Sequence, residues 1–328
     1  MHVPALAAFF ATSHTAVAMC STGVALFLIA AWTAKSDVSQ ARGPEKIVAL
    51  RNLCLAVPLA IFGVLNIFAP EVVKDLVPAY MPGRMFWVYF TGWALVAAGL
   101  SIATGIAVRW SGALFGGMML LFVAMIYLPG ALAHLHARIT WTIVFRESSF
   151  GGAGCIVAGM ATEGWHRQGK SMLVTVGRVL ITMALIVFGI EHFLHPTGLP
   201  GVPLQRELAT WIPGRALIDY VTGAALLLAA GSSLLNRKTR TVATWAGGWL
   251  LLMILVIYGP VLVSALFQPG LADKLEGINY FADTLLFAGV ILALASAAPR
   301  SDAANAATVQ GSLSSAVSAS RTEASARD

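Results

Sequence analysis

The sequence predicts an all-α, polytopic membrane protein with about nine transmembrane helices, arranged as two parallel four-helix repeats and an extra N-terminal helix. Composition, apolar runs and an internal repeat predict this fold. The 328 residues are 58% hydrophobic and 11% charged, with a mean hydropathy of +0.79, whereas a soluble domain has about 25% charged residues. Nine apolar runs of about 20 residues, the length that spans a bilayer core, follow one another along the chain.

Residues 82–129 recur as residues 213–260, at a constant offset of 131. Pro82-Gly83-Arg84 matches Pro213-Gly214-Arg215, and Tyr127-Leu128-Pro129 matches Tyr258-Gly259-Pro260. Upstream, Phe62-Gly63 matches Phe188-Gly189 at an offset of 126, so the second copy has gained five residues between Pro196 and Trp211. A repeat of this length predicts a duplicated structural unit.

The first half of the chain holds an N-terminal helix and four repeat helices. The apolar stretch 6–32 has no basic leader and is too long for a cleaved signal peptide, so it predicts a retained helix. Gly43-Pro44 breaks the chain before helix 47–69, and a basic turn separates helices 86–108 and 113–130. Helix 141–162 contains Arg146 and Glu147, which we expect to face the bundle or to pair across helices, because charge inside a membrane is costly.

The second half begins after the basic loop 167–170, with helices predicted at 172–194, 214–235, 242–267 and 278–297. The segment boundaries are therefore 1–46 for the N-terminal helix and loop, 47–162 for the first repeat, and 163–297 for the second. Residues 298–328 are rich in Ala and Ser without an apolar period, and they predict a disordered tail. Four helices per repeat make both copies enter the membrane in the same direction.

Charge and cysteine content narrow the function classes. Twelve Lys and Arg lie near the helix ends that face inward if the N-terminus is outside, against six on the other side. The positive-inside rule therefore predicts a bacterial inner membrane protein with its N-terminus outside and its C-terminus in the cytoplasm. The net charge of +6 is not arranged as a basic stripe, which argues against nucleic acid as a partner. Cys20, Cys54 and Cys155 are isolated, so no disulfide, zinc site or CxxC redox pair is predicted.

Under this orientation, the polar residues within the helices gather in the outer leaflet. The second copy is the richer one, and its candidate ligand-binding residues are Glu191, His192, Arg215, Asp219, Tyr220, Tyr258, Asn279 and Asp283. The same layer of the first copy holds Asn66, Tyr89, Tyr127 and the charged pair Arg146 and Glu147. Several carboxylates in one membrane layer point to a site that holds protons, a polar head group or a quinone ring.

Bland alternatives stand beside that hypothesis. Arg215 and Asp219 are four residues apart and suit a simple ion pair, and each candidate taken alone has a structural explanation. Gly92 and Gly223 are expected to allow close helix crossing. No histidine pattern fits haem, and Glu191, His192 and His195 lack firm metal-ligand spacing, so no metal is predicted. Catalytic residues cannot be assigned from the pattern.

The repeated motifs resemble the DoxX-like membrane proteins. The resemblance rests on Phe188-Gly189 followed by Phe193, on Pro213-Gly214, on Tyr220-Val221-Thr222-Gly223, and on Asp283 at the start of the last helix. It implies a four-helix unit and a link to membrane redox systems, since the family includes a subunit of thiosulfate:quinone oxidoreductase. If the protein is enzymatic, it is then an accessory or quinone-interacting subunit with a redox protein as partner.

Two departures in the first copy, at Asn66 and at Arg146-Glu147, favour one site in the second copy. The leading hypothesis is a quinone-like or small polar ligand bound near the periplasmic face. The alternatives are a small-solute transporter and a non-catalytic scaffold. A transporter is less favoured, because no charged residue lies near the membrane midplane or toward the inner side, where a route would need partners.

Overall fold

The computed structural model describes residues 13–162, 171–204, 206–210 and 212–299, and within these ranges the only β-structure is an isolated bridge between Gly198 and Glu207. The predicted start of the first helix before residue 13, the basic loop 167–170 and the predicted tail from residue 300 lie outside the described residues. The described chain forms nine long helices: α1 (His14–Gln40), α2 (Glu45–Phe68), α3 (Arg84–Thr104), α4 (Val108–Ala133), α5 (Arg138–Met160), α6 (Met172–Leu194), α7 (Arg215–Leu234), α8 (Thr239–Leu266) and α9 (Leu271–Ala297).

Eight of these helices, all except α5, are long and apolar enough to cross a membrane. Their outward faces carry large apolar side chains, among which Trp32, Leu114 and Leu255 keep 79%, 71% and 73% of their surface exposed. Exposing apolar faces of this extent to water is unfavourable, whereas exposing them to lipid is not. The prediction of a multi-pass helical membrane protein is therefore confirmed.

Helix α5 has the length of its neighbours but carries Arg146 and Glu147 near its middle. It packs against α4, α6 and α9, and residues 147–159 are all buried. A charged helix is tolerated at this place because protein, rather than lipid, surrounds it. The expectation that its charges pair across helices is confirmed by an ion pair between Arg146 and Asp283 of α9.

Several helices extend beyond their predicted ends. Helix α1 continues to Gln40, eight residues past the apolar stretch, and α9 begins at Leu271, seven residues before the predicted start. Helices α4 and α8 each contain a π-helical turn, at Val123–Tyr127 and Ile254–Tyr258. Each turn ends two residues before a proline, Pro129 in α4 and Pro260 in α8. A wider turn relieves the lost hydrogen bond and the ring clash that proline introduces in a helix.

Matching local geometry occurs 131 residues apart in the two halves. Gly83 and Gly214, which precede α3 and α7, both adopt left-handed conformations with φ of 64° and 69°. Ala107 and Lys238, which precede α4 and α8, do the same with φ of 55° and 53°. The two π-helical turns show the same offset.

Helix packing links the halves reciprocally. The last helix of the first half, α5, packs against the first helix of the second, α6, and α9 packs against α2 in the same way. Helices α5 and α9 also contact each other, and α1 lies against α2 and α3. The eight helices α2 to α9 thus close into a ring, with α5 and α9 meeting between the halves.

Glycines set the closest helix crossings. A methyl group on Gly92 of α3 would lie 2.9 Å from the Gly63 carbonyl oxygen of α2, and one on Gly223 of α7 would lie 2.9 Å from the Gly189 carbonyl oxygen of α6. Both distances are shorter than van der Waals contact, so only glycine fits at these crossings. The prediction that Gly92 and Gly223 serve helix crossing is confirmed.

Candidate functional site

A cavity of about 1150 Å³ lies between α2, α3, α4 and α5 of the first half, and α9 contributes to its wall. Most of the cavity wall is apolar. The cavity extends along α3 and α4, from Met81 just before α3 to Trp110 near the start of α4. Phe90 of α3 and Leu114 of α4 line it while more than half of each side chain stays exposed. The wall between α3 and α4 is therefore not closed by other parts of the described chain.

Three charged side chains stand at one end of this cavity. Arg146 donates hydrogen bonds from Nε and Nη2 to Glu147 Oε1, at 3.0 and 2.7 Å, and from Nη1 to Asp283 Oδ2 at 2.9 Å. We call Arg146, Glu147 and Asp283 the charged triad. All three side chains are at most 16% exposed. With both carboxylates ionised, one guanidinium faces two negative charges, so the triad carries one net negative charge.

The triad joins the two halves at corresponding positions. Phe150 and Gly152 of α5 match Phe287 and Gly289 of α9 at an offset of 137, which makes Arg146 the counterpart of Asp283. Sequence reasoning placed Asp283 with the second half and Arg146 with the first. The structure brings them together, because α5 and α9 pack against each other.

Three further polar groups line the cavity near the triad: Asn66, Tyr127 and Asn279. Asn66 donates a hydrogen bond from its amide nitrogen to the Thr91 hydroxyl oxygen at 2.9 Å. Among the described residues, neither the buried side-chain oxygen of Asn279 nor the Tyr127 hydroxyl has a hydrogen-bond partner. The cavity thus combines a large apolar volume with unused donors and acceptors at one end.

The corresponding space in the second half is filled by the chain itself. Residues 195–214, which connect α6 to α7, are five longer than residues 69–83, which connect α2 to α3. Within the longer connection, Leu199, Val202 and Leu208 are at most 5% exposed and belong to the hydrophobic core. We call residues 196–204 the plug. The apolar side chains of the plug draw it into the bundle.

Two hydrogen bonds hold the plug where a ligand would otherwise sit. Tyr258, which is 1% exposed, donates its hydroxyl to the Pro200 carbonyl oxygen at 2.7 Å. The Gly201 backbone N–H donates to His192 Nε2 at 2.9 Å, while His192 Nδ1 lies 2.8 Å from the Phe188 carbonyl oxygen. Both side chains are therefore engaged by backbone.

The first half keeps the corresponding side chains but has no plug. Tyr127 is the counterpart of Tyr258 at the offset of 131, and Asn66 is the counterpart of His192 at the offset of 126. Both residues line the large cavity. In the second half these side chains bind the backbone of the plug, whereas in the first half their counterparts face the open cavity.

The residues predicted as one second-copy site are distributed over three places. Asn279 and Asp283 line the large cavity. His192 and Tyr258 hold the plug. Glu191 lies beside the connection between α6 and α7, where it accepts a hydrogen bond from Arg138 Nη1 at 3.0 Å and lies 3.7 Å from His195 Nε2.

The remaining candidates also take separate surroundings. Arg215 donates to the Leu208 carbonyl oxygen at 3.0 Å, and no ion pair with Asp219 forms, although the two are four residues apart. Tyr220 is 40% exposed and stacks on Phe193 at the outer surface. Asp219 is 1% exposed, and neither of its carboxylate oxygens has a hydrogen-bond partner among the described residues. Sequence reasoning missed the pairing of Arg138 with Glu191, which no spacing in the chain signals.

In the described part of the chain, no group of three or more His, Cys, Asp or Glu side chains is arranged to hold a metal ion. Comparison with protein families, curated proteins and solved structures finds no match to this chain. The resemblance to DoxX-like proteins therefore stays a prediction, and the functional argument depends on the geometry of the cavity.

Proposed function

We propose that this membrane protein binds an amphipathic small molecule, of which a quinone is the leading example, in the large cavity of the first half. One observation carries the proposal: the cavity of about 1150 Å³ ends at the charged triad and stays open in the half that lacks a plug. Binding pockets for small organic ligands have volumes of about 300–1,000 Å³ and mostly apolar walls with a few polar groups. The size and lining of the cavity suit such a ligand.

The polar end of the cavity suits a quinone head group. The Tyr127 hydroxyl is a donor with no partner among the described residues, and the guanidinium of Arg146 has N–H groups beyond the three used within the triad. Both suit a carbonyl oxygen. The carboxylates of Glu147 and Asp283 accept hydrogen bonds and therefore suit the hydroxyl groups of the reduced form. An apolar tail fits between α3 and α4, where Leu114 and Phe90 are exposed.

The proposed setting is the bacterial inner membrane. All nine helices span it, and the two four-helix repeats lie parallel, related by an axis along the membrane normal, with the N-terminus outside. The ligand head group then lies near the periplasmic face. A role in a membrane redox system, as the DoxX-like resemblance implies, requires a redox protein as partner, since no side chain of the site transfers electrons unaided.

A cavity-filling substitution tests the proposal. Gly117 of α4 lines the cavity, and a methyl group built on it has no atom within 4 Å. We expect Gly117→Phe to fold normally and to weaken binding of decylubiquinone at least about tenfold, equivalent to about 1.4 kcal/mol. Binding is measured in lipid nanodiscs by quenching of tryptophan fluorescence, because Trp87 and Trp110 line the same cavity.

Gly231 of α7 provides the matched control. It also lies in a helix with no atom within 4 Å of an added methyl group, but it does not line the cavity. Gly231→Phe should keep wild-type affinity. If Gly117→Phe binds as tightly as wild type, the ligand does not occupy this cavity. If wild type does not bind decylubiquinone at all, the quinone assignment fails.

A further inference from the structure

A second, smaller cavity of about 230 Å³ lies beside the plug, between the end of α6 and the start of α7. Its lining includes Asp219, which is 1% exposed, and Gly198, on which an added methyl group would lie 3.5 Å from Asp219 Oδ2. Neither oxygen of Asp219 has a hydrogen-bond partner within the described chain. A buried carboxylate that gains no donors from the protein is unfavourable unless the contents of the cavity supply them.

The cationic groups near Asp219 are committed elsewhere. Arg138 lines the cavity but donates to Glu191 at 3.0 Å and to the Pro203 carbonyl oxygen at 3.3 Å. His192 uses both ring nitrogens, on the Phe188 carbonyl oxygen and on the Gly201 N–H. Arg215, one helical turn before Asp219, donates to the Leu208 carbonyl oxygen. Among the described residues, none of these cationic groups donates a hydrogen bond to Asp219.

The balance of charge favours a cation as the occupant. Glu207 adds a second carboxylate to the lining, while the charge of Arg138 is already compensated by Glu191. A single buried carboxylate does not make a metal site, and the described residues contain no group of ligands that does. None of the described residues that line this cavity is Phe, Tyr or Trp, whereas quaternary ammonium groups are usually recognised by aromatic cages.

We propose that this cavity binds the primary ammonium group of a small molecule, with Asp219 as its anionic hydrogen-bond acceptor. The cavity volume of about 230 Å³ is several times the volume of one water molecule in the liquid, about 30 Å³. A small amine therefore fits, and a quinone with its tail does not. The site is separate from the large cavity and does not rest on the function proposed for it.

Methylammonium is the probe that tests this inference. Purified protein in an amine-free phosphate buffer is titrated with methylammonium chloride, and its thermal unfolding midpoint is followed. A ligand that binds only the folded state raises this midpoint in a saturable manner, by roughly 2–4 °C well above its dissociation constant. Sodium chloride at equal ionic strength, and tetramethylammonium chloride, which has no N–H donor, should leave it unchanged.

Asp219→Asn should abolish the methylammonium shift, and Asp273→Asn, at an exposed carboxylate on α9, should retain it. Gly198→Ala provides a second route if the asparagine variant does not fold. Its methyl group would lie 3.5 Å from Asp219 Oδ2, an ordinary contact that narrows the site, so the midpoint shift should require a higher methylammonium concentration. The inference is overturned if wild type shows no saturable shift, if tetramethylammonium acts equally, or if Asp219→Asn responds like wild type.

Discussion

Removing one hydroxyl from each half distinguishes a ligand site from a structural contact. Tyr127 and Tyr258 are counterparts in the two halves, but the first faces an open cavity and the second donates to the Pro200 carbonyl oxygen of the plug at 2.7 Å. The matched substitutions Tyr127→Phe and Tyr258→Phe delete the same atom. If the geometry is functional, one should affect binding alone and the other stability alone.

The stability effect follows from burial. Tyr258 is 1% exposed and Pro200 is buried, so Tyr258→Phe leaves a buried carbonyl oxygen without a donor. An unsatisfied buried acceptor costs about 1–3 kcal/mol. Tyr127→Phe removes no hydrogen bond within the described chain, so its free energy of unfolding should change by no more than about 0.5 kcal/mol. Denaturant unfolding of the purified protein measures both values.

The binding effect should be reversed. A hydrogen bond contributes about 0.5–1.5 kcal/mol, so Tyr127→Phe should weaken decylubiquinone binding about three- to tenfold, while Tyr258→Phe should not change it. Tryptophan quenching in nanodiscs gives both affinities. Equal affinities for wild type and Tyr127→Phe would show that this hydroxyl does not contact the ligand. Loss of binding in Tyr258→Phe with intact stability would move the ligand to the second half.

Two further perturbations address the charged triad and the plug. Arg146→Met leaves Glu147 and Asp283 without a cation between them and should lower the free energy of unfolding by about 3–5 kcal/mol. Asp283→Asn keeps the Arg146–Glu147 pair and should lower it by about 1 kcal/mol. Equal losses in denaturant unfolding would contradict the ion pairing within the triad. Gly201 has φ of +111° and an added methyl group would lie 3.4 Å from Leu250, so Gly201→Ala should lower the unfolding free energy by about 1–3 kcal/mol. Gly231→Ala, in an open helical position, should raise the free energy of unfolding by about 0.5–1 kcal/mol. If Gly201→Ala leaves this free energy unchanged, the plug is not packed as described.

Hydropathy located the helices better than their ends. Helix α6 spans residues 172–194 as predicted, because both of its ends coincide with the limits of its apolar run. Helix α1 instead continues through Lys35 and Asp37 to Gln40, and α9 begins with a polar turn that contains Asp273. Polar residues favour water over lipid but do not stop a helix. An apolar run therefore predicts the membrane-embedded part and not the whole helix.

The polar layer was predictable, but its division into sites was not. Sequence reasoning named Tyr127, Arg146 and Asp283 in one leaflet, yet it favoured the second copy because that copy has more carboxylates. The deciding feature was the connection between α6 and α7, which is five residues longer than its counterpart and fills the second half. Its buried Leu199, Val202 and Leu208 are spaced too irregularly for a helix or strand pattern, so their number in a short connection was the available signal.

The two halves carry opposite charges where α5 meets α9. Helices α5 and α9 pack against each other, and their corresponding positions 146 and 283 meet at hydrogen-bonding distance. If both copies had kept the same charged residue, two like charges would face each other in a low-dielectric interior, which is strongly repulsive. Arg146 opposite Asp283 removes this repulsion, and Glu147, whose counterpart is Thr284, adds the extra carboxylate beside the first-half cavity. The charge pairing at the junction thus also gives the open half its charged end.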